Sequence, residues 1–165
     1  MDLAILKFVQ EHCRNRFTDF VFTLLSRMGN AGAVWILTAV FLWHRSETRH
    51  FAFMLFFSIA LAHLISQILK PVIARPRPFM TYPGHPLLIH TPGGYSCPSG
   101  HSASSFAAAT ILCVAGRNFG LAAFFLAVAI AFSRIFLFVH YPSDTLIGAA
   151  LGVLCAFFIM YLYTL

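Results

Sequence analysis

Charged side chains are scarce in this sequence of 165 residues. Only 10% are Asp, Glu, Lys or Arg, whereas about a quarter are charged in an ordinary soluble domain. Hydrophobic residues make up 59% of the chain, and Phe alone occurs 19 times. A soluble domain of this length could not bury so much apolar surface, but a chain in a lipid bilayer does not have to. The composition therefore predicts one polytopic membrane domain, residues 1–165, built only of α-helices.

Acidic residues and cysteines are also few, and each shortage excludes a class of site. A two-metal hydrolase needs several carboxylates, and this chain has five acids in all, widely separated. The four cysteines show neither a CxxC pair nor a zinc-like spacing, and they suggest no disulfide framework. We therefore predict no metal, no other cofactor and no nucleic-acid partner. The acids are Asp2, Glu11, Asp19, Glu47 and Asp144.

Long apolar runs are what the chain has instead. Residues 51–69 carry no charge and are long enough to cross a hydrocarbon core of about 30 Å at 1.5 Å per residue. Further runs cover 102–116, 121–139 and 145–165. Two shorter runs, 17–28 and 33–43, bring the predicted count to six membrane helices, with five as the alternative because these two are short. Residues 1–16 read as an amphipathic interfacial helix.

The distribution of Lys and Arg predicts which membrane face each connection occupies. With six helices, the cations of residues 1–16 share a face with Arg45, Arg49 and Arg117. The positive-inside rule makes that face cytoplasmic and places the segment 70–101 on the extracytoplasmic face. Lys70, Arg75, Arg77 and Arg134 would break the rule, so their positions require a functional reason.

Three segments that are distant in the sequence deliver polar residues to that second face. KPVIARPRP (70–78) follows the uncharged run, CPSGH (97–101) precedes the next run, and SRIFLFVHYPSD (133–144) joins the last two. Lys70, Arg77 and Arg134 supply fixed cations, and guanidinium groups suit phosphate oxygens. Ser99 is a good N-cap, and free N–H groups at a helix start bind anions. Together these features predict a phosphate site.

Two histidines supply the predicted chemistry at this site. His140 lies four residues before Asp144, so the carboxylate could orient one ring nitrogen and leave the other as a nucleophile. His101, across the site, could protonate the leaving oxygen.

The three segments resemble the signature motifs of the type-2 phosphatidic acid phosphatases. The patterns KxxxxxxRP, PSGH and SRxxxxxHxxxD occur in the family's order, and the resemblance covers the chain from about residue 51 to its end. It implies a six-helix core and a metal-independent reaction. His140 would form a phosphohistidine, Asp144 would orient it, and His101 would act as the acid. The residues that would bind phosphate are Lys70, Arg77, Ser99, Gly100 and Arg134.

The resemblance also implies a substrate class and a location. Short chains of this kind are similar to bacterial undecaprenyl-pyrophosphate and phosphatidylglycerophosphate phosphatases of the cytoplasmic membrane, with the site facing outward. Undecaprenyl pyrophosphate is favoured, and phosphatidylglycerophosphate, phosphatidic acid, lipid A phosphates and phosphate transfer to a second lipid stay open. The anion motifs also resemble vanadate-dependent haloperoxidases, but those enzymes are soluble. The intact histidines argue against a non-enzymatic lipid carrier.

Several polar residues lie outside the motifs. His63 is predicted to be a buried contact between helices, and Arg75 to be either a headgroup contact or a surface residue. His85 and His90 are predicted to be loop residues or substrate contacts. Cys97 is predicted to be the only cysteine on the extracytoplasmic face, where a thiol reagent should reach it.

Overall fold

Helices form the whole of the described secondary structure, which confirms the all-α prediction. The computed structural model describes the backbone of residues 1–165 and every side chain except that of Arg117, so the predicted position of that cation lies outside the described residues. Short 3-10 turns cover Asn30–Gly32 and Ser46–Thr48. The α-helices are α1 (Asp2–His12), α2 (Arg16–Met28), α3 (Ala33–Trp43), α4 (Arg49–Ile73), α5 (Pro78–Thr81), α6 (Gly100–Ala115), α7 (Arg117–Phe136) and α8 (Pro142–Thr164).

Three helical stretches are long and apolar enough to cross a bilayer, and they make the chain a multi-pass membrane protein. They cover Ser46–Thr81, Asn118–Phe136 and Pro142–Thr164. A fourth span arises if α2 and α3, which bend by 53° at their junction, cross together. Helix α6 is apolar but has only 16 residues. Six separate spans are therefore not confirmed, because length and apolarity support three or four.

Helix α1 lies at the same end of the bundle as the three signature segments, and its predicted position on the opposite face is wrong. The Gln10 side chain donates a hydrogen bond of 2.7 Å to the carbonyl of Phe136, at the end of α7. Asp2 accepts hydrogen bonds from Ser143 at the start of α8. These contacts place α1 beside the connection between α7 and α8. The cations of residues 1–16 therefore lie at the signature end, opposite Arg45 and Arg49.

Helix α6 is at the centre of the bundle, packed against α4, α7 and α8. Small residues let α8 approach it closely. A Cβ added to Gly148 would lie 2.5 Å from the Ser99 carbonyl oxygen, and one added to Gly152 would lie 2.2 Å from that of Ala103. Both contacts are shorter than real Cβ atoms allow, so glycine is required at both positions. Small residues spaced in this way are typical of tightly packed membrane helices.

The signature segments meet at one end of the bundle, where α4 ends and where α6 and α8 begin. Helix α4 ends at Ile73, and the next residue, Ala74, has a left-handed φ of 50° just before Arg75 and Pro76. Helix α6 begins after Ser99, and α8 begins with Pro142, a favoured first residue of a helix. A backbone hydrogen bond of 3.0 Å from the Ser99 amide to the Asp144 carbonyl ties the starts of α6 and α8 together.

Candidate active site

One cavity of about 190 Å³ lies where the three signature segments meet. Its lining includes three cationic side chains and three histidines but no carboxylate. Burying cations is costly, and an anion bound between them would offset that cost. The cavity therefore has the electrostatics of an anion site. Its lining residues from the signature segments are Lys70, Arg77, Gly100, His101, Arg134 and His140.

Hydrogen bonds fix two of the cations in place. The Arg77 side chain is 3% exposed, and it donates to the carbonyls of Gly93, Gly94 and Val139, each at 3.0 Å. Arg134 is 4% exposed and donates to the Ser26 hydroxyl, while its Nε has no partner among the described residues. Buried guanidinium groups held in this way can meet phosphate oxygens without reorganisation.

His140 lies in the connection between α7 and α8 with only 3% of its surface exposed. Its Nε2 is 3.3 Å from Nη1 of Arg77. A guanidinium can only donate, so this contact requires a lone pair on Nε2 and places the ring proton on Nδ1. Burial lowers the pKa of His140 to about 4, with Arg134 and Arg77 acting in the same direction. The imidazole is therefore neutral at neutral pH, as a nucleophile must be.

Asp144 faces the opposite edge of the His140 ring. Its Oδ2 is 3.7 Å from Nδ1 of His140, which is longer than a direct hydrogen bond, and it accepts one of 2.9 Å from the Tyr141 amide. Its Oδ1 accepts a hydrogen bond of 2.7 Å from Arg75. The carboxylate is fully buried. Asp144 thus faces Nδ1 of His140, and its orienting role stays a prediction. Arg75 is paired with Asp144 and Asp2 and is therefore not a plain surface residue.

His101 enters the cavity from the first turn of α6. Its Nε2 lies 3.0 Å from Oδ1 of Asn30 and 3.2 Å from the carbonyl of Ser26. The carbonyl can only accept, so Nε2 carries a proton. The ring packs on Gly29, where an added Cβ would lie 2.7 Å from Cδ2 of His101. The junction of α2 and α3 therefore positions this histidine.

Ser99 is placed as the N-cap of α6, outside the cavity lining. Its side chain is fully buried and accepts hydrogen bonds from the amide and the hydroxyl of Ser102. Gly100, the next residue, does line the cavity. The structure thus shows Ser99 shaping the helix start, and phosphate binding by its side chain stays a prediction.

Three polar side chains that the motifs do not mark also line the cavity, namely Ser104, His63 and Gln67. His63 and Gln67 lie on α4, seven and three residues before Lys70. Gln67 accepts a hydrogen bond of 3.4 Å from Lys70, and its amide nitrogen lies 3.2 Å from Nε2 of His63. His63 is exposed, so its predicted role as a buried contact between helices is wrong. The signal available in the sequence was the helical spacing, because Gln67 lies three residues before Lys70 and His63 lies four residues before Gln67.

Cys97 is 2% exposed, and its predicted accessibility is wrong. Burial raises the pKa of its thiol to about 11, so it stays protonated and unreactive. Cys13 also lies at this end, where it packs against the cluster formed by α1 and the α7–α8 connection. Cys97 is therefore not the only cysteine there.

Side chains arranged to bind a metal are not found in the described part of the chain. No group of three or more His, Cys, Asp or Glu residues lies close enough together to hold an ion. The arrangement instead offers the neutral His140, a second histidine and three cations around one space. These are the parts needed to transfer a phosphoryl group through a histidine.

Comparison with protein families gives a match over residues 51–165 to the family described as the PAP2 superfamily. The matched range contains the three signature segments and excludes α1, α2 and α3.

Named relatives and a solved structure extend this finding. The chain is 41% identical over 92 residues to the decaprenylphosphoryl-5-phosphoribose phosphatase of Mycobacterium tuberculosis, covering 55% of this chain and 49% of the relative. It is 32% identical over 120 residues to the undecaprenyl-diphosphatase of Sulfolobus acidocaldarius, covering 72% and 58%. The matched part thus spans about half the length of these curated relatives. The crystal structure of Aquifex aeolicus LpxE superposes with a TM-score of 0.85 at 26% identity, covering 97% of this chain and 94% of that one.

Proposed function

Because this chain belongs to the PAP2 superfamily, we propose that it is an enzyme that removes a phosphate group from a membrane lipid. The observation that carries the proposal is one cavity whose lining includes three cations together with the neutral His140. The apolar helices of the protein would contact the hydrocarbon part of the lipid in the bilayer while the cavity binds the phosphate.

The reaction proceeds through the histidine in two balanced steps. Nε2 of His140 attacks phosphorus once the phosphate has taken over the hydrogen bond from Arg77, and the bond from phosphorus to the leaving oxygen breaks. His101, whose Nε2 proton is held by Ser26 and Asn30, is protonated on Nδ1 as well and donates that second proton to the leaving oxygen. Water then attacks the phosphohistidine while His101 takes a proton from it, the P–N bond breaks, and free phosphate leaves with the water's oxygen, so that both histidines return to their starting state. Lys70, Arg77 and Arg134 balance the charge that builds up on the phosphate oxygens. Neither step requires a metal ion.

The substrate that we propose is a polyprenyl diphosphate, specifically undecaprenyl diphosphate, which would leave undecaprenyl phosphate. Two supports favour it. The relatives are named for undecaprenyl and decaprenyl phosphate compounds. The cavity also continues along α4 to His63 and Gln67, the former roughly 10 Å before Lys70 along the helix axis. These side chains can hydrogen-bond a second phosphate, which a simple lipid monophosphate lacks.

Placement in the membrane is a separate part of the proposal. We place the protein in the bacterial cytoplasmic membrane with the cavity at the extracytoplasmic face, and the support is the family resemblance alone. The charge count used for the sequence prediction no longer favours this face, because the cations of residues 1–16 lie at the cavity end.

Phosphate release from lipids in detergent tests the proposed function. The purified protein should hydrolyse undecaprenyl diphosphate faster than phosphatidylglycerophosphate, phosphatidic acid or lipid A, and EDTA should not slow it. Vanadate should inhibit competitively, because the cavity suits a five-coordinate oxyanion. With phosphate-labelled substrate, an acid-labile phosphoprotein should form in the wild type and be absent from His140→Gln.

Other outcomes would redirect the proposal. Activity that EDTA abolishes and Mg²⁺ restores would contradict the direct histidine mechanism. Faster turnover of another lipid in the panel would replace the polyprenyl substrate but keep the enzyme class. Labelled phosphate that appears on an added lipid alcohol instead of in water would identify a phosphotransferase.

A further inference from the structure

Arg75, in the segment after α4, contacts both the start of α8 and the start of α1, close to His140 and Asp144. Its Nη1 donates to Asp144 Oδ1 and to the Ser143 hydroxyl, each at 2.7 Å, and its Nη2 donates to Asp2 Oδ2 at 2.8 Å. The guanidinium carbon also lies 3.8 Å from the centre of the Tyr141 ring. Arg75 does not line the cavity, so these contacts rather than substrate account for its position.

The Arg75 contact determines how the Asp144 carboxylate is oriented. One oxygen is bound by Arg75, and the other is bound by the Tyr141 amide and faces Nδ1 of His140. A fully buried carboxylate that loses a charged partner either rotates or takes up a proton, since an unpaired buried charge is costly. Rotation would move the negative charge away from Nδ1 of His140 and protonation would neutralise it, and in both cases the charge that favours the His140 proton on Nδ1 is lost there. Arg75 therefore acts on the nucleophile through Asp144.

Asp2 holds Arg75 from the other side and comes from helix α1. Its Oδ1 accepts a hydrogen bond of 3.1 Å from the Ser143 amide in the first turn of α8, where a carboxylate is favoured. Helix α1 is docked by Leu6 and Val9, which are 0% and 2% exposed. They pack in a cluster with residues 135–139, just before His140.

From these contacts we infer that Arg75 and Asp2 are positioning residues for the nucleophile, acting in the order Asp2, Arg75, Asp144, His140. The inference rests on the proposed function. According to this inference, α1 contributes to the active site through Asp2, although α1 lies outside the residues that the family comparison matches. Neither residue touches the substrate, so their effect falls on turnover rather than on binding.

Two charge-removing variants test the inference. Arg75→Gln should lower kcat by about 10- to 100-fold while KM changes little. A loss of this size is usual when a residue that directly holds an active-site group loses its own hydrogen-bond partner. Asp2→Asn should lower kcat less, because Arg75 keeps its contacts with Asp144 and Ser143. In the double variant the two losses should not multiply, because Asp2 acts through Arg75. Arg75→Lys should restore part of the activity by returning one charge.

The control is Arg45→Gln, which removes an exposed arginine at the opposite end of the bundle. It should leave kcat unchanged. If Arg75→Gln fails to fold, the kcat and KM of Asp2→Asn and of Arg75→Lys test the inference instead, because each should show a reduced kcat with little change in KM. Wild-type kcat in Arg75→Gln, or losses that multiply fully in the double variant, would overturn the inference. A wild-type protein that releases no phosphate from any lipid would instead overturn the proposed function.

Discussion

Individual side chains at the site are fixed by partners that no motif contains. His101 is held by Asn30 and by the Ser26 carbonyl, and Arg134 donates to the Ser26 hydroxyl. These partners come from the junction of α2 and α3, before the matched range begins. The geometry of His101 therefore depends on a segment that the signature does not identify.

His101→Ala should distinguish substrates by their leaving groups. The leaving group of a lipid monophosphate is a basic alkoxide that needs a proton, so losing a general acid should lower its rate of hydrolysis by about 100-fold or more. The leaving group of a lipid diphosphate is a weakly basic lipid phosphate, so the rate of diphosphate hydrolysis should fall clearly less. Initial rates on undecaprenyl diphosphate and phosphatidic acid would measure both. Equal losses on the two lipids would count against His101 as the acid.

Gly29→Ala should disturb the same histidine without changing a polar group. The new Cβ would lie 2.7 Å from both Cδ2 of His101 and Cγ2 of Ile130, so the imidazole must shift. Overpacking of this kind costs about 1–3 kcal/mol. We expect a loss of activity on monophosphate lipids resembling that of His101→Ala, with a modest loss of thermal stability. Arg27→Ala, at an exposed position two residues earlier, serves as control. Normal monophosphate activity in Gly29→Ala would contradict the assigned contact.

Helix packing determines how accurately the separate segments meet. The starts of α6 and α8 share the Ser99–Asp144 backbone hydrogen bond, and the two helices then run in contact along small residues. Any separation of α6 from α8 would move His101 and Gly100 away from His140 and Asp144. The close glycine contacts are therefore part of the site's construction.

Gly152→Ala should weaken that packing. The added Cβ would lie 2.2 Å from the Ala103 carbonyl oxygen, so backbone must move, and we expect the melting temperature in detergent to fall by several degrees. Leu154→Ala, whose side chain is 66% exposed on the same helix, should change it little. Thermal unfolding followed by circular dichroism would compare them. Equal stability of Gly152→Ala and wild type would show that the helices lie further apart.

At the scale of the whole molecule, the cavity lies near one end of the bundle, and α1 lies beside it. The opposite end holds the turn with Arg45 and Arg49, and the ring of Tyr163 near the end of α8 lies 6.3 Å from that of His50. Each exposed connection can therefore report on one face of the membrane.

Two single cysteines should establish the orientation. After replacement of the four native cysteines, Tyr95→Cys would mark the cavity end and Glu47→Cys the other, both at exposed positions. If the cavity is extracytoplasmic, an impermeant maleimide should label Tyr95→Cys in intact spheroplasts and Glu47→Cys only after lysis. Retained phosphatase activity would control for folding. The reverse labelling pattern would place the cavity in the cytoplasm.

The membrane class, the helical secondary structure and the three segments that line the cavity could all be predicted from the sequence. Hydrophobic runs and motif spacing are local properties, so they can be read without knowing the fold. The position of α1 at the cavity end, the place of His63 in the cavity lining and the contact of Arg75 with Asp144 could not be predicted in this way. The Asp2–Arg75 and Ser26–Arg134 contacts join residues 73 and 108 positions apart. Such pairs depend on how the helices pack together, because no local preference brings those side chains into contact.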